Sequence, residues 1–446
     1  MDFVVIGGDA AGMSAASRVK RICPQTSVIV LEKSMDVSYS ACGMPYNISD
    51  SDREIEDLVV RPAKEFQDKQ GIHVLTGHQV DRIDPQNKIV RGTTLAGDPF
   101  QFFYDQLLIA TGASPMVPDL PGFDLPGVMV LKSLEHGRKI KVYLKKNQVK
   151  KAVIIGMGYI ALEMCEALRA LDIDLAMVKS RKGLLPWMVE DLARAVQDEV
   201  QAMGVQLYPG HPVRRIESAG TGLKVICDDL TLDADMVLVA IGVTPNSSLA
   251  ADAGLNLSVE QAIGVDPSLK TSDPYIYAAG DCADAFHEVT GKRTWIPLAL
   301  RANRAGWAVA DNVCGKTVKL HGVAGTGVFK VFGLEVARTG LNLGQAERAG
   351  FDPVGVTIKT RSRAHAHPGS SDLWVHMVGD KTSGRLLGVQ MVGREGVAAR
   401  INAPAVALHG KMTVEHFSQS DLAYAPPFGP VWDPMLTAAN QLLKRM

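Results

Sequence analysis

The sequence predicts an α/β fold in which two doubly wound units stand in series ahead of a third, α+β unit, and three observations lead there. Short runs rich in Val and Ile alternate with helical patterns, the signature of βαβ units around a parallel sheet. A glycine-rich passage from strand to helix occurs twice, beginning at Gly7 and at Gly156, 149 residues apart, in a chain with no short-period repeat. Beyond about residue 322 these passages stop and the text becomes strand-rich, then helical. The length, 446 residues, holds two to three domains with substantial cores.

In chain order, Phe3-Val4-Val5-Ile6 reads as a buried strand, Met13 to Ile22 as a helix and Val28-Ile29-Val30-Leu31 as the next strand. Leu107-Leu108-Ile109-Ala110-Thr111-Gly112-Ala113-Ser114-Pro115 is a strand that ends in a Gly turn and leaves the first unit. The second unit repeats the plan with Ala152 to Ile155, a helix from about Tyr159 to Leu171, and Leu175 to Val178. Its exit, Met236 to Pro245, parallels the first. The third unit carries strand patterns at Gly327 to Val336, Val354 to Lys359, Trp374 to Val378 and Leu386 to Val392, with helices at Ala398 to Leu408 and Pro434 to Lys444.

Composition excludes several classes. Lys plus Arg number 47 against 48 Asp plus Glu, a net charge of -1 without the basic excess of a nucleic-acid binder. With 46% hydrophobic and 21% charged residues the chain is an ordinary globular one. Apolar stretches such as Ala152 to Met164 are too short and glycine-broken to span a membrane. The chain opens directly on a buried strand where a secretory signal would need a basic and a longer apolar segment, so a cytoplasmic location is expected. Six cysteines (23, 42, 165, 227, 282 and 314) show neither CxxC pairs nor zinc spacing, so no disulfide framework and no metal site is expected.

The glycine passages carry the chemistry. Gly7-Gly8-Asp9-Ala10-Ala11-Gly12 lies where a strand becomes a helix, and Glu32 follows 20 residues beyond Gly12. A helix N-terminus favours a pyrophosphate, and an acid at that distance can bond a ribose diol. The middle glycine of G-x-G-x-x-G is displaced here to position 8, and Asp9 stands in its place. The second passage, Gly156-Met157-Gly158-Tyr159-Ile160-Ala161, fits G-x-G-x-x-A. Where an NAD site would carry an acid it has Lys179-Ser180-Arg181-Lys182, cations able to bond a 2'-phosphate, so use of NADPH is expected alongside or ahead of NADH.

Two nucleotide sites in one chain suggest an electron relay. The run Thr271 to Cys282, with Ala278-Ala279-Gly280-Asp281 at its end, together with Ala110-Thr111-Gly112, resembles the second flavin signature of the FAD-dependent pyridine nucleotide-disulfide oxidoreductases, in which the residue matching Asp281 bonds the flavin ribityl chain. The resemblance covers essentially the whole chain. It implies two Rossmann-like nucleotide-binding domains plus a C-terminal α+β dimerisation domain, with residues 1–115 and 246–322 forming a discontinuous FAD domain, 116–245 the NAD(P)H domain and 323–446 the dimerisation domain. The cofactor-binding residues it implies are Gly7, Ala11, Gly12, Glu32, Lys33, Val80, Ala110, Thr111, Gly112, Gly280, Asp281 and Ala299, with Gly156, Gly158, Tyr159, Ile160, Glu163, Lys179, Arg181 and Gly242. The run Trp295 to Ala299 opens a helix that, by resemblance, points its N-terminus at the flavin pyrimidine ring.

The segment Ser38-Tyr39-Ser40-Ala41-Cys42-Gly43-Met44-Pro45-Tyr46 has one cysteine where dithiol members carry C-x4-C, so Cys42 is identified as a lone redox cysteine. Such a thiolate takes reducing equivalents as a mixed disulfide, a persulfide or a sulfenic acid. If Gly43 and Met44 open a helix, its dipole favours the Cys42 thiolate. Single-cysteine members include NADH peroxidases, water-forming NADH oxidases, CoA-disulfide reductases and NAD(P)H sulfur or persulfide reductases. The peroxidases and oxidases usually place a His where this chain has Ala10, which argues against peroxide chemistry.

The run Ala423-Tyr424-Ala425-Pro426-Pro427-Phe428-Gly429 is similar to the C-terminal motif of CoA-disulfide reductases, and Tyr424 matches a tyrosine that reaches the cysteine of the partner subunit. A homodimer with shared active sites follows by resemblance. Where the family has H-A-x-Y-Y-P this chain reads Ala364-His365-Ala366-His367-Pro368, so His367 stands for a second proton donor, and Ala41 replaces the usual Asn. Arg18, Arg21, Ser38, Arg61 and Asn303 match positions around a coenzyme A pocket, with Arg18 four residues beyond Ser14 on one helical face. No rhodanese-like module follows Tyr424, which tilts the reading toward a plain disulfide reductase. The expected activity is NAD(P)H-driven reduction of CoA disulfide or related small disulfides, with persulfide or polysulfide reduction, a CoA-linked oxidase and a non-catalytic flavin redox sensor as alternatives.

Overall fold

The protein is described here from a computed structural model covering residues 1–220 and 222–446. Two five-stranded parallel sheets and one five-stranded antiparallel sheet organise the chain. The first sheet runs, edge to edge, Ile276–Ala278, Gln106–Ile109, Asp2–Ile6, Ser27–Glu32 and His73–Thr76. Its strands therefore come from both sides of the second unit in sequence. Val4, Val5, Leu107 and Leu108 are fully buried, because helices cover one face of the sheet and a small antiparallel sheet, contributing Ile83 and Val90 to the same core, covers the other.

The second sheet repeats the design with Gln206–Pro209, Asp174–Lys179, Lys151–Ile155, Met236–Val239 and Val128–Val130. Each parallel sheet has a three-stranded antiparallel companion, His78–Asp84 to Pro99–Phe103 in the first unit and Val213–Ala219 to Thr231–Ala234 in the second. A two-stranded antiparallel link, Ala113–Pro115 against Val243–Pro245, ties the outgoing chain to the returning one. These are the two exits that the sequence pattern marked.

The third sheet is antiparallel, in the order Gly327–Val331, Leu334–Gly340, Leu386–Gly393, Asp372–Asp380, Pro353–Arg361, and Pro434–Leu443 packs on it. The expected helix from Ala398 to Leu408 is two helices, Val397–Arg400 and Asn402–His409. Pro404 lacks an N–H and fits the opening turn of the second, where that donor has no helical acceptor.

Two features place the site. The helix Ala10–Ile22 lies against Ala299–Val313, and a Cβ on Gly306 would stand 2.3 Å from the Ala11 carbonyl oxygen, so only glycine permits that approach. The core under the second sheet also takes in Met44, Ile48, Ile55 and Leu58 from the segment after Cys42, as well as Phe329 and Val331 from the third unit. Arg138 of the helix Leu134–Asn147 clamps that segment, bonding both oxygens of Asp36 at 2.6 and 2.7 Å and Glu56 at 2.7 Å. Among the described residues no helix is long and apolar enough to cross a membrane.

Candidate active site

The first glycine passage is a cradle that tolerates no side chains where it turns. Gly7 has φ +110°, and a Cβ there would stand 2.2 Å from the Ala110 carbonyl oxygen; one on Gly12 would stand 1.9 Å from that of Gly7. Glu32, at the end of its strand, accepts the Gly8 N–H at 2.8 Å and both the N–H and hydroxyl of Ser34 at 2.8 and 2.7 Å. Its carboxylate is thereby fixed at the C-terminal end of an interior strand. The first-turn amides of Ala10–Ile22 have no side-chain cap, since Asp9 occupies the N-cap without bonding the helix. This arrangement fits a diphosphate: free amides, a helix dipole and a glycine floor.

Asp9 turns instead to the Tyr39 backbone N–H, and burial, opposed mainly by Lys132, pushes its carboxyl up to about 6. Asp281 follows Gly280, whose φ is +87° and whose Cβ would press on Ala11, and it accepts a hydrogen bond from Lys132 Nζ at 2.8 Å. Thr111 and Asn246 bond each other reciprocally, Oγ1 to the Asn246 carbonyl at 2.6 Å and Nδ2 to the Thr111 carbonyl at 2.8 Å. Gly112, at φ +68°, and Ala299, opening the helix Ala299–Val313, border the same crevice side of the sheet; Val80 packs on the first core and Lys33 follows Glu32.

The second cradle repeats the first in geometry. Gly156 has φ +122°, and its Cβ would stand 2.2 Å from the Ala240 carbonyl oxygen, the same distance as at Gly7. Gly158 caps the helix Tyr159–Arg169 with open space where a side chain would be, and Gly242 has φ +133°. Ile160 and Glu163 follow on that helix, and the Tyr159 ring packs on Trp187 and Phe329. Lys179 Nζ donates to the Gly183 carbonyl at 3.1 Å, and Arg181 is exposed beside it.

Cys42 lies between the cradles on the short turn Ala41–Gly43, exposed to the crevice. A helix does follow, Met44–Ile48, but at five residues it is too short to govern the charge balance. Burial first, and then the carboxylates of Glu163, Asp281 and Asp9, push the thiol up, with Lys132 pulling the other way. The expectation of a helix-favoured thiolate is therefore corrected: burial and the neighbouring carboxylates favour the thiol. Tyr46 Oη donates to Glu163 Oε1 at 3.2 Å, and burial pushes the Glu163 carboxyl up as well.

A cavity of about 340 Å³ opens beside the cysteine segment, lined among others by Asp9, Ser14, Ser38, Arg61, Asn303 and Trp307. Ser38 has φ +49°, a strained value for serine, and its N–H is held by the Gly8 carbonyl at 3.0 Å. Ser14 donates to Asn303 Oδ1 at 2.6 Å across the two packed helices. A second cavity of about 510 Å³ adjoins through Ser17 and is lined by Lys20, Arg21 and Lys69. Arg18 lines neither: its guanidinium pairs with Asp311 at 2.8 Å and stacks on Trp307.

His367 and Tyr424 sit on neighbouring loops of the third unit, joined by the Ala364 N–H to Pro426 carbonyl bond. Arg400 supports those loops, donating to Asp433 at 2.8 Å and to the Phe428 carbonyl at 2.6 Å. Tyr424, Phe428 and Trp432 form a markedly exposed aromatic stretch. Sequence reasoning missed Lys132, Lys20 and Lys69, which no local motif marks, and noted Asp9 only as a departure from a glycine pattern.

A repeated dinucleotide cradle with a cysteine poised between the copies defines a class: oxidoreductases that pass electrons between two bound nucleotides and sulfur. Residues 1–306 match the pyridine nucleotide-disulphide oxidoreductase family and residues 327–435 its dimerisation domain, and the chain belongs to that family. It is an NAD(P)H-dependent FAD oxidoreductase. The CoA-dependent NAD(P)H sulfur oxidoreductase of Pyrococcus furiosus is 37% identical, with 98% of each chain covered. The coenzyme A disulfide reductase of Staphylococcus haemolyticus is 26% identical, with 95% of each covered. The structure of an NAD-dependent persulfide reductase from A. fulgidus superposes with a TM-score of 0.96 at 36% identity, covering 100% of this chain and 83% of that one.

Proposed function

We propose that this protein reduces coenzyme A disulfide or a related low-molecular-weight disulfide at Cys42. The observation that carries the reading is a pair of cavities that share Ser17 as a lining residue, the nearer of them beside the Cys42 segment. The nearer one offers Ser14, Ser38 and Asn303 to a polar thiol chain, and the farther one offers Arg21 to phosphates, beside Lys20, whose ammonium also donates to the Pro24 and Thr26 carbonyls, and Lys69, which also pairs with Glu65. A thiol substrate that carries phosphates at its far end matches that layout.

The two glycine cradles hold the cofactors: the Gly7 cradle with Glu32 and Asp281 the FAD, the Gly156 cradle with Lys179 and Arg181 the NAD(P)H. FAD, when bound, supplies the hydride acceptance and two-electron delivery that no side chain can perform. Cys42 Sγ attacks one sulfur of the substrate, and the first thiol departs with a proton. Because the thiol is pushed up, attack speeds as pH rises toward its ionisation, and Lys132 is the cation that stabilises the thiolate. Lys179 and Arg181 favour the 2'-phosphate of NADPH.

Tyr424 and His367 are proton donors to the departing thiol, contributed across a homodimer by the exposed loops of the third unit. Six free cysteines suit a reducing, cytoplasmic compartment. Persulfide reduction is the second reading, supported by the names of the Pyrococcus and A. fulgidus relatives. Cys42→Ser tests the core of the proposal: flavin reduction by NAD(P)H should persist while CoA thiol release stops. Full disulfide activity in that variant refutes it, and sulfide release from a persulfide in large excess over CoA thiol release moves the assignment to the second reading.

A further inference from the structure

Two cysteines play no part in the site above. Cys23 closes the helix Ala10–Ile22, its N–H donating to the Val19 carbonyl at 2.7 Å, and Cys314 closes Ala299–Val313, its N–H donating to the Ala310 carbonyl at 3.0 Å. Contacts between the helices advance in one direction along both. Gly306 meets Ala11 and Ala15, and Arg18 pairs with Asp311, which Lys316 also bonds at 3.0 Å. Parallel helices in that register bring their C-caps, Cys23 and Cys314, together, close enough for the Cys23 thiol to bear on the ionisation of Cys314. Both residues are half-buried, and both are free thiols.

We propose that Cys23 and Cys314 are a redox-modification site, forming a reversible disulfide that ties the helix carrying Ser14, Ser17 and Arg21 to the helix carrying Asn303 and Trp307. Both helices line the cavity beside the Cys42 segment, the first through Ser14 and Ser17 and the second through Asn303 and Trp307, so the link fixes the spacing of those two walls. The proposal holds whichever acceptor Cys42 reduces.

The oxidant is a low-molecular-weight disulfide, RSSR. One cysteine attacks it, forming a Cys–S–S–R bond, and the first RS⁻ departs with the proton of the attacking thiol. The second cysteine attacks the sulfur of the first, forming the Cys23–Cys314 bond, and the second RS⁻ departs with its proton. Two cysteine thiols are oxidised by two electrons while RSSR becomes two RSH.

The test uses the flavin-loaded full chain without NAD(P)H, equilibrated against mixtures of oxidised and reduced glutathione, blocked with iodoacetamide and digested without reduction. A Cys23–Cys314 linked peptide should appear by mass spectrometry, with both alkylation signals falling at one common midpoint, and dithiothreitol should restore them. Cys314→Ser should keep its flavin and lose the linked peptide. No linked peptide under a large excess of oxidised glutathione, or glutathione carried separately by Cys23, overturns the proposal.

Discussion

Asp9→Asn should stabilise the protein, and increasingly so as pH rises. The carboxyl is buried beside Glu32 and Asp281, and its ionisation is raised from 3.8 to about 6. An acid raised on folding contributes stability that is complete below the unfolded value and is lost as pH climbs through the folded one. A difference of about two units at roughly 1.4 kcal/mol each sets a ceiling of about 3 kcal/mol by pH 7.5, with about half already present at pH 5. Asparagine keeps an acceptor for the Tyr39 N–H and removes the charge, so the gain isolates ionisation from the hydrogen bond. A bound diphosphate is a further anion nearby and enlarges the effect. The assay is urea unfolding of the flavin-loaded protein and its Asp9→Asn variant from pH 4 to 8. A stability difference that stays constant over that range would refute the assignment of a raised, buried acid.

Other consequences can be checked alongside. Gly12→Ala places a methyl 1.9 Å from the Gly7 carbonyl oxygen, so the purified variant should carry about a tenth or less of the flavin per chain found in wild type, read from visible absorbance, because a displacement costing about 2 kcal/mol suffices. Lys179→Glu combined with Arg181→Ala should raise KM for NADPH about tenfold or more while sparing NADH, as expected for lost charge-assisted bonds; wild-type NADH efficiency more than about tenfold above that of NADPH contradicts the assignment of these cations.

The order of the units, the two glycine cradles and the position of Glu32 were legible in the text because each depends on local patterning, whereas Asp281 and Cys42 were marked by the family resemblance. A parallel strand must be apolar along its whole length, a tight strand-to-helix turn must be glycine, and these demands appear as short runs of neighbouring residues. The antiparallel third unit was legible as strand text, but not in its pairing order, in which Leu386–Gly393 inserts between Leu334–Gly340 and Asp372–Asp380, because pairing across a sheet leaves no mark at fixed spacing.

Charge balance was decided by tertiary structure alone. Lys132 stands in an unremarkable stretch, yet folding sets its ammonium 2.8 Å from Asp281 and within influence of Asp9 and Cys42. The resemblance set Arg18 at a coenzyme A pocket, but Asp311, 293 residues away, takes up its guanidinium. The Cys42 segment reads as the start of a helix, and that helix exists; what sets the thiol is burial and carboxylates brought in from Glu163, Asp281 and Asp9. The backbone's own needs are written in neighbouring residues, whereas the ionisation of a group is a sum over everything the fold brings close, and sequence distance carries no information about that sum.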